Sequence, residues 1–243
     1  GRQAALAQTP RLRRTAVPVG TMGGEAFDIG RALKGLRWLL ARDLVLILQL
    51  GVVWAVVAAI ASMLSEYIPS EVQGFVGLNQ LVGPFFVAAF TAAALSANQP
   101  TLSNALKAGR LLYVQFVVVL FITFVLLHLG LKLMVLPGIA LAILVSCAPS
   151  VLFREDTGIM GSLIEGARLV LPRFWRVAAC YLVVTVPVMV FAGLILLADQ
   201  GLSLGVSTLI ILSIVGVFAK VMTTYLGAAI YLEATHVSRV QSV

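Results

Sequence analysis

From Leu44 to Leu64 the chain carries no charged residue. A helix of that length covers about 31 Å, the thickness of a bilayer's hydrocarbon core. Comparable runs follow near Phe75 to Ala97, Leu111 to Leu131, Met134 to Phe153, Val177 to Ala198 and Leu204 to Leu232. Inside hydrocarbon every backbone amide must find its hydrogen bond within the protein, and a continuous apolar segment does so as an α-helix. The expected fold is therefore all-α, a polytopic membrane protein with about six transmembrane helices. The chain is 60% hydrophobic and only 11% charged, against roughly 25% charged in an average soluble domain. Two runs are irregular. The second contains Asn79, Gln80 and the helix-kinking Pro84, and the fourth contains Pro137, Gly138 and Pro149, so it is expected to be bent or broken.

A formal charge of +7 suggests nucleic acid in a soluble protein. Here the basic residues flank apolar runs, so they report topology and exclude a nucleic-acid partner. All lysines and arginines except Lys132 and Lys220 fall before the first run, between the second and third, between the fourth and fifth, or after the sixth. The positive-inside rule then places both termini in the cytoplasm. Residues 1–24 read as a basic tail with Arg2, Arg11, Arg13 and Arg14, residues 25–238 as a single transmembrane domain, and residues 239–243 as a second tail. Met22 is a candidate natural start. A cleaved secretory signal is not expected, because the first long apolar run begins only at Leu44.

The approaches to the first, third and fifth runs resemble one another. Ala32-Leu33-Lys34-Gly35-Leu36-Arg37 corresponds to Ala105-Leu106-Lys107-Ala108-Gly109-Arg110, and again to Ser162-Leu163-Ile164-Glu165-Gly166-Ala167-Arg168, which leads into Arg173-Phe174-Trp175-Arg176. Three repeats of an interfacial amphipathic helix plus a helix pair follow, at about 25–98, 99–156 and 157–236. In the first, Phe27, Ala32, Leu33, Leu36 and Leu40 form an apolar stripe. The candidate residues for lipid headgroups and the interface are Arg31, Lys34, Arg37, Lys107, Arg110, Arg168, Arg173, Trp175 and Arg176, since anionic headgroups attract each surface cation by roughly 1 kcal/mol. The plainer alternative makes these segments extensions of the spanning helices. Trp38 also fits interface anchoring, and Trp54, in mid-run, fits packing.

The stretch Leu136 to Val177 resembles the membrane domain associated with glycerophosphodiester phosphodiesterases and with related multi-spanning bacterial proteins. The resemblance rests on Leu136-Pro137-Gly138-Ile139, Pro149, Glu155, Gly158, Leu163, Arg168-Leu169-Val170 and Arg173-Phe174-Trp175-Arg176. It implies repeated amphipathic entries into about six spans in a bacterial cytoplasmic membrane. It carries no phosphodiester cleavage, because the hydrolase domain has no counterpart in this chain. The family's Glu-Ala and Ser-Trp pairs are replaced by Gly161-Ser162 and Gly166-Ala167.

No paired carboxylates, activated nucleophile or metal-ligand cluster emerges, so neither catalysis nor a cofactor is expected. His128 and His236 fall on opposite sides of this topology. Cys147 and Cys180 read as small core residues, and Arg154-Glu155-Asp156 as a solvated loop. Ala88, Ala92 and Ala93, and Gly216, Ala219 and Gly227, have the spacing of close helix contacts.

Lys220 stands apart. A cation in mid-span costs at least about 2.5–3.5 kcal/mol unless it meets protein, water or the interface. Twelve residues separate it from Glu233, about 18 Å of helix. Either it lines a polar intramembrane site, with Gln49 and Gln115 as candidate partners, or the span ends near Thr223 and Lys220 lies at the headgroups. These features point to a non-enzymatic integral membrane scaffold or accessory subunit, with membrane lipids and other membrane protein subunits as partners. The alternative is a carrier or channel for a lipid or small anion, suggested by the broken fourth run and Lys220.

Overall fold

The computed structural model describes residues 27–65, 78–96, 100–133, 135–155, 157–202 and 206–240, and its elements are all helical. In chain order they are α1 (Ile29–Arg42), α2 (Leu44–Ser65), α3 (Leu78–Leu95), α4 (Leu102–Leu133), α5 (Val135–Leu144), α6 (Ala148–Glu155), α7 (Gly158–Val170), a 3-10 turn (Leu171–Arg173), α8 (Phe174–Leu202) and α9 (Val206–Val240). The basic tail 1–24 with Met22, the loop with Glu66, Pro69 and Glu71, and Asp156 lie outside the described residues. Five stretches are long and apolar enough to cross a membrane, and Val82–Leu95 is a shorter apolar helix. This is an all-α polytopic fold.

Helix α1 starts where Asp28 accepts the Gly30 amide at 2.8 Å, a side-chain N-cap. Ala32, Leu36 and Leu39 recur at helical spacing and are buried. The helix ends at Asp43, whose amide donates to Leu39 O while its own carbonyl accepts the Ile47 amide. One residue thus closes α1 and opens α2, with no loop between them.

The core forms around α3 and the later half of α9. Helix α3 touches α2, α4, α6 and α9, and Phe86 through Leu95 are all buried. Helix α9 touches α1, α2, α3, α6 and α8, and Tyr225 through Tyr231 are all buried. Ala88, Ala92 and Ala93 lie in this contact zone, as their spacing suggested. Gly227 does too: a Cβ there would stand 3.0 Å from Ser146 O. Gly216 does not, since nothing lies within 4 Å of where its Cβ would be. Trp54 is buried and stacked on Phe86, with centroids 5.3 Å apart.

The fourth run is broken, between Leu144 and Ala148 and not at Pro137-Gly138. Pro137 sits in the first turn of α5, where the missing amide is not needed. Pro149 sets the break, because a proline ring collides with the carbonyl four residues earlier, here Val145. The chain answers with a tighter turn in which the Ala148 amide donates to Val145 O at 2.9 Å.

The repeated entries also differ from one another. Helices α1 and α7 are distinct, set off from α2 and α8 by Asp43 and by the turn containing Pro172. Between Arg110 and Leu111 there is no proline and no capping residue, so the second entry continues unbroken into the 32-residue α4.

Apolar side chains cover the outside, among them Val45, Leu48, Val52, Val56 and Ile60 of α2 and Leu182, Val186, Met189 and Leu197 of α8. A water-facing surface of that kind would aggregate, whereas lipid solvates it. Inside, Cys147 and Cys180 are both free and fully enclosed. In the native protein neither thiol is expected to react with a maleimide over minutes, and both should label once detergent denaturation opens the bundle. Mass spectrometry of the labelled chain checks this.

Candidate functional site

The end of the bundle that carries α1 concentrates the charged side chains. Arg42 and Asp43, adjacent in sequence, form a fork: Arg42 Nε donates to Asp43 Oδ1 at 2.6 Å and Nη2 donates to Oδ2 at 2.9 Å. The Asp43 side chain is fully enclosed, and Tyr225 OH donates to its Oδ2 at 3.1 Å. This hydrogen-bonded carboxylate raises the Arg42 guanidinium above its ordinary pKa, so the cation is permanent.

The rest of the guanidinium faces the end of α3. Nη2 donates to Ala93 O at 2.8 Å and Nη1 to Ser96 O at 3.0 Å. The last carbonyls of a helix lack intrahelical donors and carry partial negative charge, so a cation there is doubly favoured. Arg154, at the end of α6, donates to Leu95 O of the same helix end. Two arginines from different helices therefore cap α3. Trp38 lies over Arg42, its ring centroid 5.0 Å from Cζ.

Further ties surround this centre. Tyr231 OH donates to Glu155 Oε1 at 3.1 Å, joining α9 to α6. Arg31 Nε stands 3.0 Å from Glu233 Oε1, an ion pair of α1 with α9 that is not aligned as a hydrogen bond. Arg176 donates to Phe27 O at 2.8 Å, tying the start of α8 to the entry of α1. Arg154 and Glu155 are therefore not in a solvated loop. They end α6, Arg154 exposed and Glu155 half-buried, with their side chains bonded to α3 and α9.

Of the residues expected to meet headgroups, Arg31 and Arg176 are engaged by protein in this way, and Arg173 donates to Leu169 O at 3.4 Å. Lys34, Arg37, Lys107, Arg110 and Arg168 are exposed, Arg168 with Glu165 at 3.4 Å. Trp175 is 81% exposed. On the outer face of α7 and the turn after it, Met160, Ile164 and Leu171 are exposed beside it. The intramembrane candidates do not form one site. Gln49 lines an open apolar groove of about 630 Å³ between α2, α3 and α4, with Leu48, Phe85, Leu102 and Leu106. Arg110 and Tyr113 line a neighbouring groove of about 370 Å³ on the other side of Phe85. Gln115 and Lys220 are exposed, and no hydrogen bond joins Lys220 to either glutamine among the described residues.

Asp43, Tyr225 and Tyr231 had no place among the expected site residues. The available signal was the single acid set between the basic stripe of α1 and an uncharged run. No protein-family model, curated protein or solved structure matches the chain.

Proposed function

We propose that the chain is a non-enzymatic membrane scaffold or accessory subunit of a membrane protein complex, with its charged end in the cytoplasm of a bacterium and its apolar faces offered to lipids and to partner helices. The observation that carries this reading is the clamp on α3. A fork of Arg42 and Asp43, a second arginine and Tyr225 hold five elements in one arrangement. Such a frame fixes surfaces relative to one another.

Packing around the α5–α6 break favours a scaffold over a carrier. A carrier uses interrupted helices to line a polar path. Here Cys147, Ala148 and Val151 are completely buried, and a Cβ on Gly166 would stand 2.9 Å from Ala148 N, so α7 fills the space beside the break. Purification from native membranes in a gentle detergent, through a tag on the C-terminal tail, tests the reading. A second membrane protein in fixed ratio to the chain is the expected outcome. A lone chain carrying one enriched anionic lipid, and moving it between reconstituted vesicle leaflets, replaces this reading with the carrier.

A further inference from the structure

Lys220 projects from the surface of α9 at a depth where its charge has no ion-pair partner among the described residues. The Tyr225 ring lies 6.2 Å from Phe90, whose ring lies 6.1 Å from Trp54 near the middle of α2. Lys220 is five residues further from the charged end, about 7.5 Å along the helix, and about 21 Å from the opposite end of α9 at Val206. It is thus remote from both helix ends. Its side chain is exposed, and the hydroxyls of Thr223 and Thr224 donate back to its own carbonyl. The carboxylates with described side chains are engaged elsewhere: Asp28 caps α1, Asp43, Glu155 and Glu233 are held at the charged end by Arg42, Tyr231 and Arg31, and Glu165 pairs with Arg168.

The surroundings of Lys220 on α9 favour close approach of another helix. Gly216 lies one turn away on the same face, and the space around it is open. Ser213 continues that face. Small residues let helix backbones approach in a membrane, and a membrane-embedded cation must meet an opposite charge or water.

We infer that this face of α9 binds a transmembrane helix of a partner protein that carries an aspartate or glutamate at the depth of Lys220. A second copy of this chain does not fit, because a symmetric contact through the face would set lysine against lysine. An anionic lipid fits less well, because Lys220 is set far from both helix ends. The inference rests on the accessory-subunit reading and specifies where the partner docks.

The test places the photo-crosslinker p-benzoylphenylalanine at Gly216 and, as a control, at Met189 on the apolar face of α8, in cells that express the natural partners. Crosslinks from position 216 are expected to map to a membrane-spanning segment containing Asp or Glu. Lys220→Met should lower their yield at least tenfold, while Lys220→Arg keeps at least half. Removing an exposed charge from the outer surface of α9 does not threaten folding, so a loss in Lys220→Met reports on the contact. Crosslinks to phospholipid, to another copy of the chain, or of equal yield in Lys220→Met overturn the inference. A chain that retains a stoichiometric partner yet gives no adduct at 216 overturns the site alone; a chain that purifies alone defeats the accessory-subunit reading itself.

Discussion

Asp43→Ala is expected to destabilise the folded protein by about 3–5 kcal/mol, the range for breaking a buried, hydrogen-bonded ion pair from one side. The substitution removes three hydrogen bonds at once, two from Arg42 and one from Tyr225. The lost bonds are only part of the cost. Arg42 keeps its charge and stays against α3, now with helix carbonyls as its only described acceptors. Tyr225 is wholly buried, so its hydroxyl loses its acceptor with no water to replace it. Tyr225→Phe removes one bond and no charge, and should cost about 1–3 kcal/mol. Because both changes act on the same carboxylate, their effects should fall short of adding in the double variant. Denaturant titration of the detergent-solubilised protein, followed by loss of Cys147 and Cys180 protection, measures all three. A cost below 1 kcal/mol for Asp43→Ala would show that the fork is a surface pair and that α3 is held by its apolar contacts alone.

The apolar runs were legible because hydrocarbon imposes one length and one backbone conformation on whatever crosses it. Leu44–Ser65 differs from its sequence reading by one residue at the end. The burial stripe of α1 was legible for a similar reason, since Ala32 and Leu36 repeat with the helix. The clamp was not. Arg42 and Asp43 are neighbours in sequence, and nothing in that spacing shows that Arg42 has a partner 51 residues away and Asp43 one 182 residues away. Arg42 ends the helix next to the one-residue junction at Asp43, and its guanidinium lies over the end of α3. The fourth run shows the same limit in another form. Two prolines were visible, but which one breaks the helix depends on where the helix begins, and a proline in the first turn costs nothing. Arg154-Glu155 then ended α6, where they reach Leu95 O and Tyr231, instead of staying in a loop.

Gly130→Ala carries the opposite sign from what helix propensity gives. In a helix interior alanine is better than glycine by about 1 kcal/mol, and Gly130 lies inside α4. Yet a Cβ at Gly130 would collide with the Cα of Gly138 and stand 2.7 Å from its amide nitrogen. The obstacle is backbone, in the first turns of α5, so no side-chain rotation relieves it and the two helices must separate. Overpacking of this kind costs typically about 1–3 kcal/mol, and Gly130→Val should lie at or above the top of that range because two further carbons enter the same space. Gly193→Ala, in α8 with nothing within 4 Å of its Cβ position, is the matched control and should be neutral or stabilising. Comparing the two alanine variants under one denaturant separates the propensity of glycine from its use as a contact. Equal midpoints would mean that α4 and α5 do not cross at Gly130 and Gly138. A loss confined to Gly130 would identify that crossing as what holds the hairpin between the third and fourth apolar runs, at the end of the bundle remote from the clamp. The two ends are then fixed by different physics: backbone contact through glycines at one, a buried and hydrogen-bonded charge at the other.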